Sequence, residues 1–402
     1  MAITLIGLPP IGINLAYRPI VYKWSSNVSN LKYCIAEILV NSVRVSAISV
    51  QLDAGSTTNF TLDVSETVQT NLSFDLESIN STGVITPVNS QESIQIKIYE
   101  VTEAAGLIST DYNPSDSNNS NYQYFSPPFL VVNWIVSHFD YATFVQGSYV
   151  LSDSTKRFLT DTPYKKSIEL DKDEFIGILQ HVGTGGKNFK LEILTYDSSD
   201  ALLNTDFINI PEWNTAYSSV IPNNTYKTIA IGTKNLINSG VSLTNVAYYT
   251  IKIINDDGDK SETKRFDIVD SCSQDVRIHW ANNYGKQDSY TFKGNVQEEV
   301  QHKASTYIQP LGLTYSSDAR GLTVLQNTSN SNFKAYSKSI SRDTYQWLSS
   351  MLTNKIAFVE INNNYFPIII DDGTILKTDE KNMPIQFVLS YSFANVTKGF
   401  RG

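Results

Sequence analysis

The sequence predicts a mainly β protein in which two Ig-like β-sandwich domains precede a small β-barrel or sandwich domain that carries one packed α-helix. Aromatic residues are abundant, with 23 Tyr and 18 Phe among the 402 residues, and aromatic side chains are enriched in strands. Only 18% of the residues are charged, whereas about 25% are charged in an average globular protein. Short apolar segments separated by turn signals recur along the chain, a spacing typical of sandwiches and barrels.

The first predicted domain spans residues 1–128. Residues 94–101 alternate strictly between apolar and polar side chains, which predicts a half-buried strand. Residues 33–40 and 44–50 are separated by a short break and are predicted as two further strands. The polar stretch at residues 110–124 cannot bury a core, so it is predicted as a long loop near the end of the domain.

The second predicted domain spans residues 129–270. Its strands at residues 174–180 and 189–196 flank a glycine-rich loop at residues 183–188. The loop faintly resembles a phosphate-binding loop, but it lacks the full G-x-x-x-x-G-K-[ST] spacing, and a strand pattern follows it. A phosphate-binding loop needs the N-terminus of a helix at that place. The segment is therefore predicted as the loop of a β-hairpin.

A sharper hairpin signal in this domain is the turn at residues 255–259, which joins strand patterns at residues 248–254 and 264–269. Asp-Gly between two strands is a strong hairpin signal. The carboxylates of this turn, and those of the shorter segment 371–373, offer a calcium site as an alternative. Neither segment has the spaced acidic pattern and distal glutamate of an EF-hand, so both are predicted as turns.

The third predicted domain spans residues 271–402 and contains the one clear helix, at residues 341–353. Ser341 is a good N-cap for this helix. Its apolar side chains share one face, and they are Tyr345, Leu348, Met351 and Leu352. We expect the helix to pack on the strands of this domain, the last of which covers residues 387–393.

The last strand carries the candidate assembly contacts. One face is apolar, with Phe387, Leu389, Tyr391 and Phe393. The opposite face consists of Val388, Ser390 and Ser392, and it carries no lysine, a residue that natural edge strands use to block pairing. If the edge is free, a neighbouring subunit can add a strand to it by β-augmentation. The alternative is that another strand of the same domain already pairs there.

Residues with catalytic or metal-binding potential are scattered. The chain has four histidines, none with a second histidine at metal-ligand spacing: His138, His181, His279 and His302. No G-x-S-x-G or H-E-x-x-H motif is present. Cys34 and Cys272 lie far apart in sequence and are predicted as small buried hydrophobic residues. We therefore expect no enzymatic activity, no cofactor and no bound metal.

Charge and hydropathy limit the partners. The formal net charge is −9, and no basic run is present, which argues against nucleic-acid binding. No apolar run reaches about 18 residues, so no membrane insertion is expected. Tryptophans that stack on sugars would indicate a carbohydrate-binding or adhesion module. Trp134 and Trp347 lie in core-like contexts, whereas Trp213 and Trp280 stay ambiguous. A polysaccharide-degrading enzyme, which needs paired carboxylates, is not excluded by sequence.

A resemblance to phage proteins rests on residues 266–272, 276–285 and 288–292, in which a cysteine, a strand ending in Trp280, a Tyr-Gly turn and an aromatic return strand follow one another. This pattern resembles virion proteins of phages and prophages from Bacteroidetes-type bacteria. Segments 17–20 and 157–163 look like parts of the same layout. The predicted helix-bearing C-terminal domain is similar in outline to the small domain shared by tail-tube and distal-tail proteins.

The resemblance implies a tail-tip or baseplate component, because tail-tube and distal-tail proteins form rings around the tail axis. Expected partners are other tail or baseplate proteins and copies of the same chain, with a host-surface glycan as a further option. A ring at the head–tail junction is a close alternative. The expected location is the phage tail, after assembly in the reducing host cytoplasm, which suits two unpaired cysteines. The resemblance supplies no catalytic residues.

Overall fold

The computed structural model describes residues 3–8, 13–74, 76–85, 91–113, 115, 121–127, 129–132, 150–151, 155–181, 188–210, 224–272, 275–308, 322–353, 356–371 and 385–394. These residues form mainly strands, numbered β1 to β27 in chain order, with a few short helices. The chain is thus mainly β, which confirms the predicted fold class.

The chain divides into two compact units. The first comprises Met1–Ser167, Asp171–Ile268 and Asn283–Gln287, and the second comprises Ile168–Leu170, Val269–Asn282 and Asp288–Gly402. The residues predicted as N-terminal and middle domains fall mostly within the first unit. Their division near residue 128 stays a prediction.

Two sheets of the first unit enclose one core. One sheet has the order β1 (Ile3–Gly7), β3 (Val21–Ser26), β6 (Asn59–Asp63). The other has the order β2 (Ile13–Leu15), β11 (Phe129–Val132), β8 (Gln91–Ala104), β4 (Leu31–Val40), β5 (Val43–Val50), and β9 (Leu107–Thr110) and β10 (Tyr124–Phe125) also pair with β8. Their facing side chains form a sandwich core in which Trp24 stacks on Phe60 with ring centroids 5.5 Å apart. The alternation predicted for residues 94–101 places Ile94, Ile96 and Ile98 in this core.

The other two sheets of the first unit also face each other. One has the order β12 (Val150–Leu151), β14 (Phe175–His181), β17 (Asn224–Ala230), β7 (Val84–Ile85). The other has the order β13 (Lys165–Glu169), β20 (Lys264–Val269), β18 (Tyr248–Asn255), β15 (Phe189–Tyr196), β16 (Leu202–Ile210), and β19 (Gly258–Asp259) also pairs with β18. The last residues of β13 and β20, which are Ile168, Glu169 and Val269, belong to the second unit. The hydroxyl of Tyr249 in the second sheet donates to the carbonyl oxygen of Ile231 at 2.8 Å, close to the end of β17.

The two predicted hairpins of this region have different outcomes. β18 pairs with β20, so the hairpin marked by Asp257-Gly258 is confirmed. The hairpin predicted around residues 183–188 is wrong, because β14 pairs with β12 and β17 whereas β15 belongs to the other sheet. The local pattern identified both strands correctly, but it contains no information about which sheet each joins. Residues 183–187 lie outside the described residues.

One seven-stranded sheet dominates the second unit. Its order is β22 (Gln287–Phe292), β21 (Val276–Ala281), β25 (Ala357–Ile361), β26 (Asn364–Ile370), β27 (Val388–Phe393), β24 (Leu322–Tyr336), β23 (Val296–Ile308). One face packs against a helix and forms a core that includes Trp280, Phe292, Trp347 and Leu389. The ring centroids of Trp280 and Trp347 lie 5.2 Å apart.

Three α-helices occur among the described residues: α1 (Ser65–Gln69), α2 (Thr233–Asn238) and α3 (Arg342–Ser349). The α3 helix continues as a 3-10 turn over Ser350–Thr353, so the predicted helix at residues 341–353 is confirmed. The hydroxyl oxygen of Ser341 accepts from the Thr344 backbone N–H at 3.2 Å, as an N-cap should. The sequence did not identify α1 or α2, which are too short to show a helical period.

Candidate assembly surfaces

The predicted assembly contacts lie on a strand inside the sheet. β27 pairs with β24 on one side and with β26 on the other. The free-edge alternative is therefore wrong, and strands of the same unit already occupy both sides of β27. β-augmentation at Ser390 and Ser392 is excluded, since their main-chain neighbours are in place on both sides. Val388 pairs with Tyr336 of β24, and the position opposite it on the other side lies outside the described residues. Only a contact through their side chains stays a prediction.

The side chains of β27 separate as the sequence predicted. Leu389 and Tyr391 are buried in the core, and burial raises the pKa of Tyr391 to about 12, with a smaller contribution from Glu298. Val388 is 43% exposed, and the two serines are half-buried. Exposed Lys334 on β24 lies opposite Ser390, so the neighbouring strand supplies the lysine that β27 lacks.

A long β-ribbon extends from the same sheet and was not predicted. Beyond Asn332, which pairs with Ser392, β24 has no partner among the described strands other than β23. We define the ribbon as residues 300–308 and 322–331, and nine residues of strand span about 30 Å. An isolated two-stranded hairpin is at best marginally stable in water, so such a ribbon is a candidate for support by another surface.

The ribbon carries an apolar side, which we call the ribbon face and define as Val300, Ile308, Leu322 and Val324. Cross-strand pairing places Ile308 opposite Leu322 and Thr306 opposite Val324. Ile308 is 79% exposed and Leu322 is 59% exposed. Val300 lies two residues after Glu298, which pairs with the core residue Phe333, so the ribbon face continues the core side of the sheet into solvent. Ile308, Leu322 and Val324 lie together at the end of the ribbon, and grouped exposed apolar side chains of this kind mark interaction surfaces.

The opposite side of the same sheet bears a buried polar cluster. Glu169 lies 2.9 Å from the ammonium of Lys293 and 3.8 Å from the guanidinium of Arg277. Its carboxylate also accepts from the hydroxyl of Thr291 at 2.8 Å. Burial alone would raise the pKa of Glu169, but Arg277, Lys293 and the Thr291 hydrogen bond outweigh burial and hold this pKa below its usual value.

His279 belongs to this cluster and is fully buried. Its Nε2 lies 3.0 Å from a carboxylate oxygen of Glu360, and its ring meets Tyr365 edge-on. A histidine held between a carboxylate and an aromatic ring, without access to solvent, has a structural role. His138 lies outside the described residues, as do the side chains of His181 and His302.

The acidic turn between β18 and β20 shows no metal-site geometry. In the turn between β18 and β20, Asp259 forms an ion pair with Lys252 at 2.9 Å, and the backbone N–H of Asp257 donates to Asn255. No group of three or more His, Cys, Asp or Glu side chains placed to hold a metal occurs in the part of the chain that the structure describes. Residues 372–373 lie outside that part.

The predicted tryptophan and cysteine environments are only partly confirmed. Trp347 is in the core as predicted, and Trp280, which the sequence left ambiguous, is fully buried. Cys34 is buried, and burial raises the pKa of its thiol to about 12, although a hydrogen bond with Trp24 opposes this. Cys272 is exposed, so its predicted burial is wrong. Trp134 and Trp213 lie outside the described residues.

A small cavity with both polar and apolar lining lies inside the first unit, with a volume of about 10 Å³. Its lining includes Lys166, Glu174, Lys264 and Thr162. Lys166 forms an ion pair with Glu174 at 2.5 Å, and Lys264 donates to the carbonyl oxygen of Thr162 at 2.6 Å. A volume of this size holds about one water molecule, so the cavity cannot take a substrate.

No model of a known protein family and no curated protein matches the chain. Among solved structures, the fibronectin(III)-like modules of Clostridium thermocellum CbhA match with 10% identity and a TM-score of 0.16, over 67% of this chain and 94% of that one. The Rst D1-D2 structure matches with 9% identity and a TM-score of 0.19, over 67% of this chain and 100% of that one. TM-scores this low carry no argument about function. No helix among the described residues is long and apolar enough to cross a membrane.

Proposed function

We propose that this chain is a non-enzymatic structural subunit of a bacteriophage tail, placed at the tail tip or baseplate. There it docks onto other tail proteins and onto copies of itself. The observation that carries the assembly role is the ribbon, which extends the core side of a sheet into solvent with apolar residues as exposed as Ile308, at 79%. A subunit that works alone gains nothing from such a surface, whereas a subunit of an assembly buries it against a neighbour.

The placement in a phage tail is supported by the sequence resemblance of residues 266–272, 276–285 and 288–292. In the fold, these segments form the end of β20, the hairpin of β21 and β22, and the turn between them. The predicted C-terminal domain, whose outline contributes to the resemblance, contains the seven-stranded sheet and α3. A head–tail junction ring is the alternative position, and both positions need the same kind of docking surface.

The adhesion alternative draws less support. Stacking on a sugar needs an exposed aromatic platform, and Trp24, Trp280 and Trp347 are buried. Among the described tryptophans, none offers a platform. Exposed tyrosines also present an aromatic ring with a polar tip, so contact with a host glycan is the second outcome to be tested on particles.

The test uses the phage or prophage that encodes the chain. Antibodies raised against the purified chain are applied to whole particles and located by electron microscopy. Labelling at the end of the tail supports the proposal. Labelling at the head–tail junction supports the alternative position, and particles without the chain contradict both.

The ribbon is tested by complementing a deletion of the gene with variants. We expect Ile308→Lys to fold and to be missing from particles, because a lysine in the ribbon face cannot be buried cheaply. The matched control is Gln301→Lys, which adds the same charge to the other side of the ribbon and should enter particles normally. Val388→Lys tests the predicted contact on β27 in the same way. Full incorporation of Ile308→Lys would exclude the ribbon face as a contact.

A further inference from the structure

A short segment of the chain leaves one sandwich of the first unit and joins the other. We call the sandwich that contains β4 and β8 the first sandwich, and the one that contains β14, β15, β17 and β18 the second sandwich. The chain contributes Leu72 to the core of the first sandwich and enters that core again at Ile94 on β8. Between these residues, β7 pairs with β17 and so belongs to the second sandwich. We define residues 76–85 as the crossing segment.

Main-chain pairing places the end of the crossing segment in a sheet of the second sandwich. β7 lies opposite Thr228 and Ile229 of β17. The backbone N–H of Ala230 donates to the carbonyl oxygen of Gly83 at 3.0 Å. β7 therefore completes a sheet whose other strands lie between residues 150 and 230. Two paired residues do not hold a strand by themselves, since even a full two-stranded hairpin is only marginally stable in water.

A buried polar network holds the crossing segment ahead of β7. Asn235 on α2 is fully buried, and its amide nitrogen donates to the carbonyl oxygen of Ser81 at 2.8 Å and to the carboxylate of Asp173. The same carboxylate accepts from the backbone N–H of Asn80 at 3.2 Å. The amide oxygen of Asn235 accepts at 2.9 Å from two further backbone N–H groups, those of Gly232 and Glu174. All hydrogen-bonding positions of this amide are therefore used.

We propose that the crossing segment couples the two sandwiches, so that they unfold as one cooperative body. In the folded first unit, the first sandwich holds the chain on both sides of the segment, at Leu72 and Ile94. Ordering the segment then costs little chain entropy, because the loop between these anchors is short. If the first sandwich unfolds, the segment becomes part of a long free chain. It must then be ordered by its own few contacts, at an entropy cost for every residue.

Loss of the crossing segment would leave the second sandwich with an open sheet edge at β17. The buried side chains of Asn235 and Asp173 would each lose a partner. Losing the partner of a buried donor or acceptor destabilises a fold more than a typical hydrogen bond stabilises it. The folded first sandwich therefore stabilises the second, and by thermodynamic linkage the second stabilises the first by the same amount. It follows that the predicted boundary near residue 128 does not separate two independently stable domains.

Substitution of two matched glycines tests the coupling on the purified full chain. Gly83 in the crossing segment has a φ of +68°, and Gly55 in the turn between β5 and β6 of the first sandwich has a φ of +77°. A Cβ added at either position meets no neighbouring atom within 4 Å, so valine strains the backbone at both without a clash of its Cβ. Gly83→Val should weaken the hold of the crossing segment, and Gly55→Val is the control within the first sandwich. Gly83→Ala is the milder change if Gly83→Val does not fold.

The readout is pulse-labelling hydrogen exchange in urea, followed by mass spectrometry on peptides from β4 and β8 and on peptides from β15 and β18. In the wild type, both sandwiches should lose protection at one urea concentration. Gly55→Val should lower that midpoint for both sandwiches together, by about 0.3–1 M, whereas Gly83→Val should split it into two. Two midpoints in the wild type, a Gly55→Val effect confined to the first sandwich, or a single midpoint in Gly83→Val would overturn the coupling. The particle experiments are unaffected by any of these results, because the measurement uses the isolated chain.

Discussion

Replacing Glu169 by Gln tests the buried polar cluster of the second unit. The side chain of Glu169 is 1% exposed, and its carboxylate neutralises Lys293 at 2.9 Å and Arg277 at 3.8 Å. Glutamine has the same shape and can still accept the hydrogen bond from Thr291. The substitution therefore removes the negative charge and little else.

The expected loss of stability is about 3 kcal/mol. Removing one partner of a buried ion pair costs roughly 3–5 kcal/mol, because the remaining charge stays buried without compensation. We take the low end for two reasons. Arg277 keeps a second carboxylate, that of Glu360, at 3.6 Å from its Nε, and Lys293 is 18% exposed, so that water compensates part of its charge.

The assay is thermal unfolding followed by near-ultraviolet circular dichroism, which reports on the packed pair Trp280 and Trp347. For a unit of this size, about 3 kcal/mol lowers the melting temperature by roughly 10 °C. The matched control is Glu103→Gln, which removes an exposed ion pair with Lys32 and should cost less than about 1 kcal/mol. Equal melting temperatures for the two variants would refute the reasoning.

The stability difference between the wild type and Glu169→Gln should change with pH in a definite direction. Because the pKa of Glu169 is lowered in the folded chain, its ionised form stabilises the fold at any pH above the pKa of the unfolded chain, about 4.3. The stability difference between the wild type and Glu169→Gln should be constant near neutral pH. It should shrink as the pH falls below about 4 and vanish below the folded pKa. A difference that grows on acidification would contradict the assigned direction.

Three further outcomes are expected. A chromogenic disulfide reagent at pH 8 should modify Cys272 at once and Cys34 only after unfolding. The reason is that a thiol with a pKa of about 12 is ionised at pH 8 in roughly one molecule in ten thousand. Rapid modification of two thiols per native chain would contradict the burial of Cys34. Trp347→Phe should cost about 1–3 kcal/mol in urea unfolding, because it removes the indole N–H that donates to a buried carboxylate at 2.7 Å; an unchanged midpoint would contradict it. Leu389→Ala should lower the free energy of unfolding by about 2–5 kcal/mol, whereas Val388→Ala, on the exposed side of β27, should lower it by less than about 0.5 kcal/mol. Equal losses would show that the two sides of the strand are assigned wrongly.

Features that depend on neighbours in the sequence were predictable. The alternation of residues 94–101 identified a strand whose isoleucines enter the core, and Ser341 identified the start of a helix. The two sides of β27 were also assigned correctly, because successive side chains of a strand point to opposite faces. In each case, the information lies within a few residues of the position concerned.

Features that depend on distant residues were not predictable. The ribbon escaped notice because its strands, of which residues 322–331 are rich in Ser and Asn, show no clean alternation, and pairing with each other stabilises them where local propensity does not. The exposure of Cys272 and the burial of His279 between Glu360 and Tyr365 likewise depend on segments far away in the chain.

By itself, the sequence determined that the chain is mainly β, where its main helix begins and ends, and which side of the last strand enters the core. Only the tertiary structure decided that β27 is an interior strand, that β14 and β15 join different sheets, and that β16 and β23 are edge strands of their sheets. The physical reason is that a strand's period is a property of its own residues. The identity of its partner depends instead on hydrogen bonds between main chains, which are chemically alike at nearly every position.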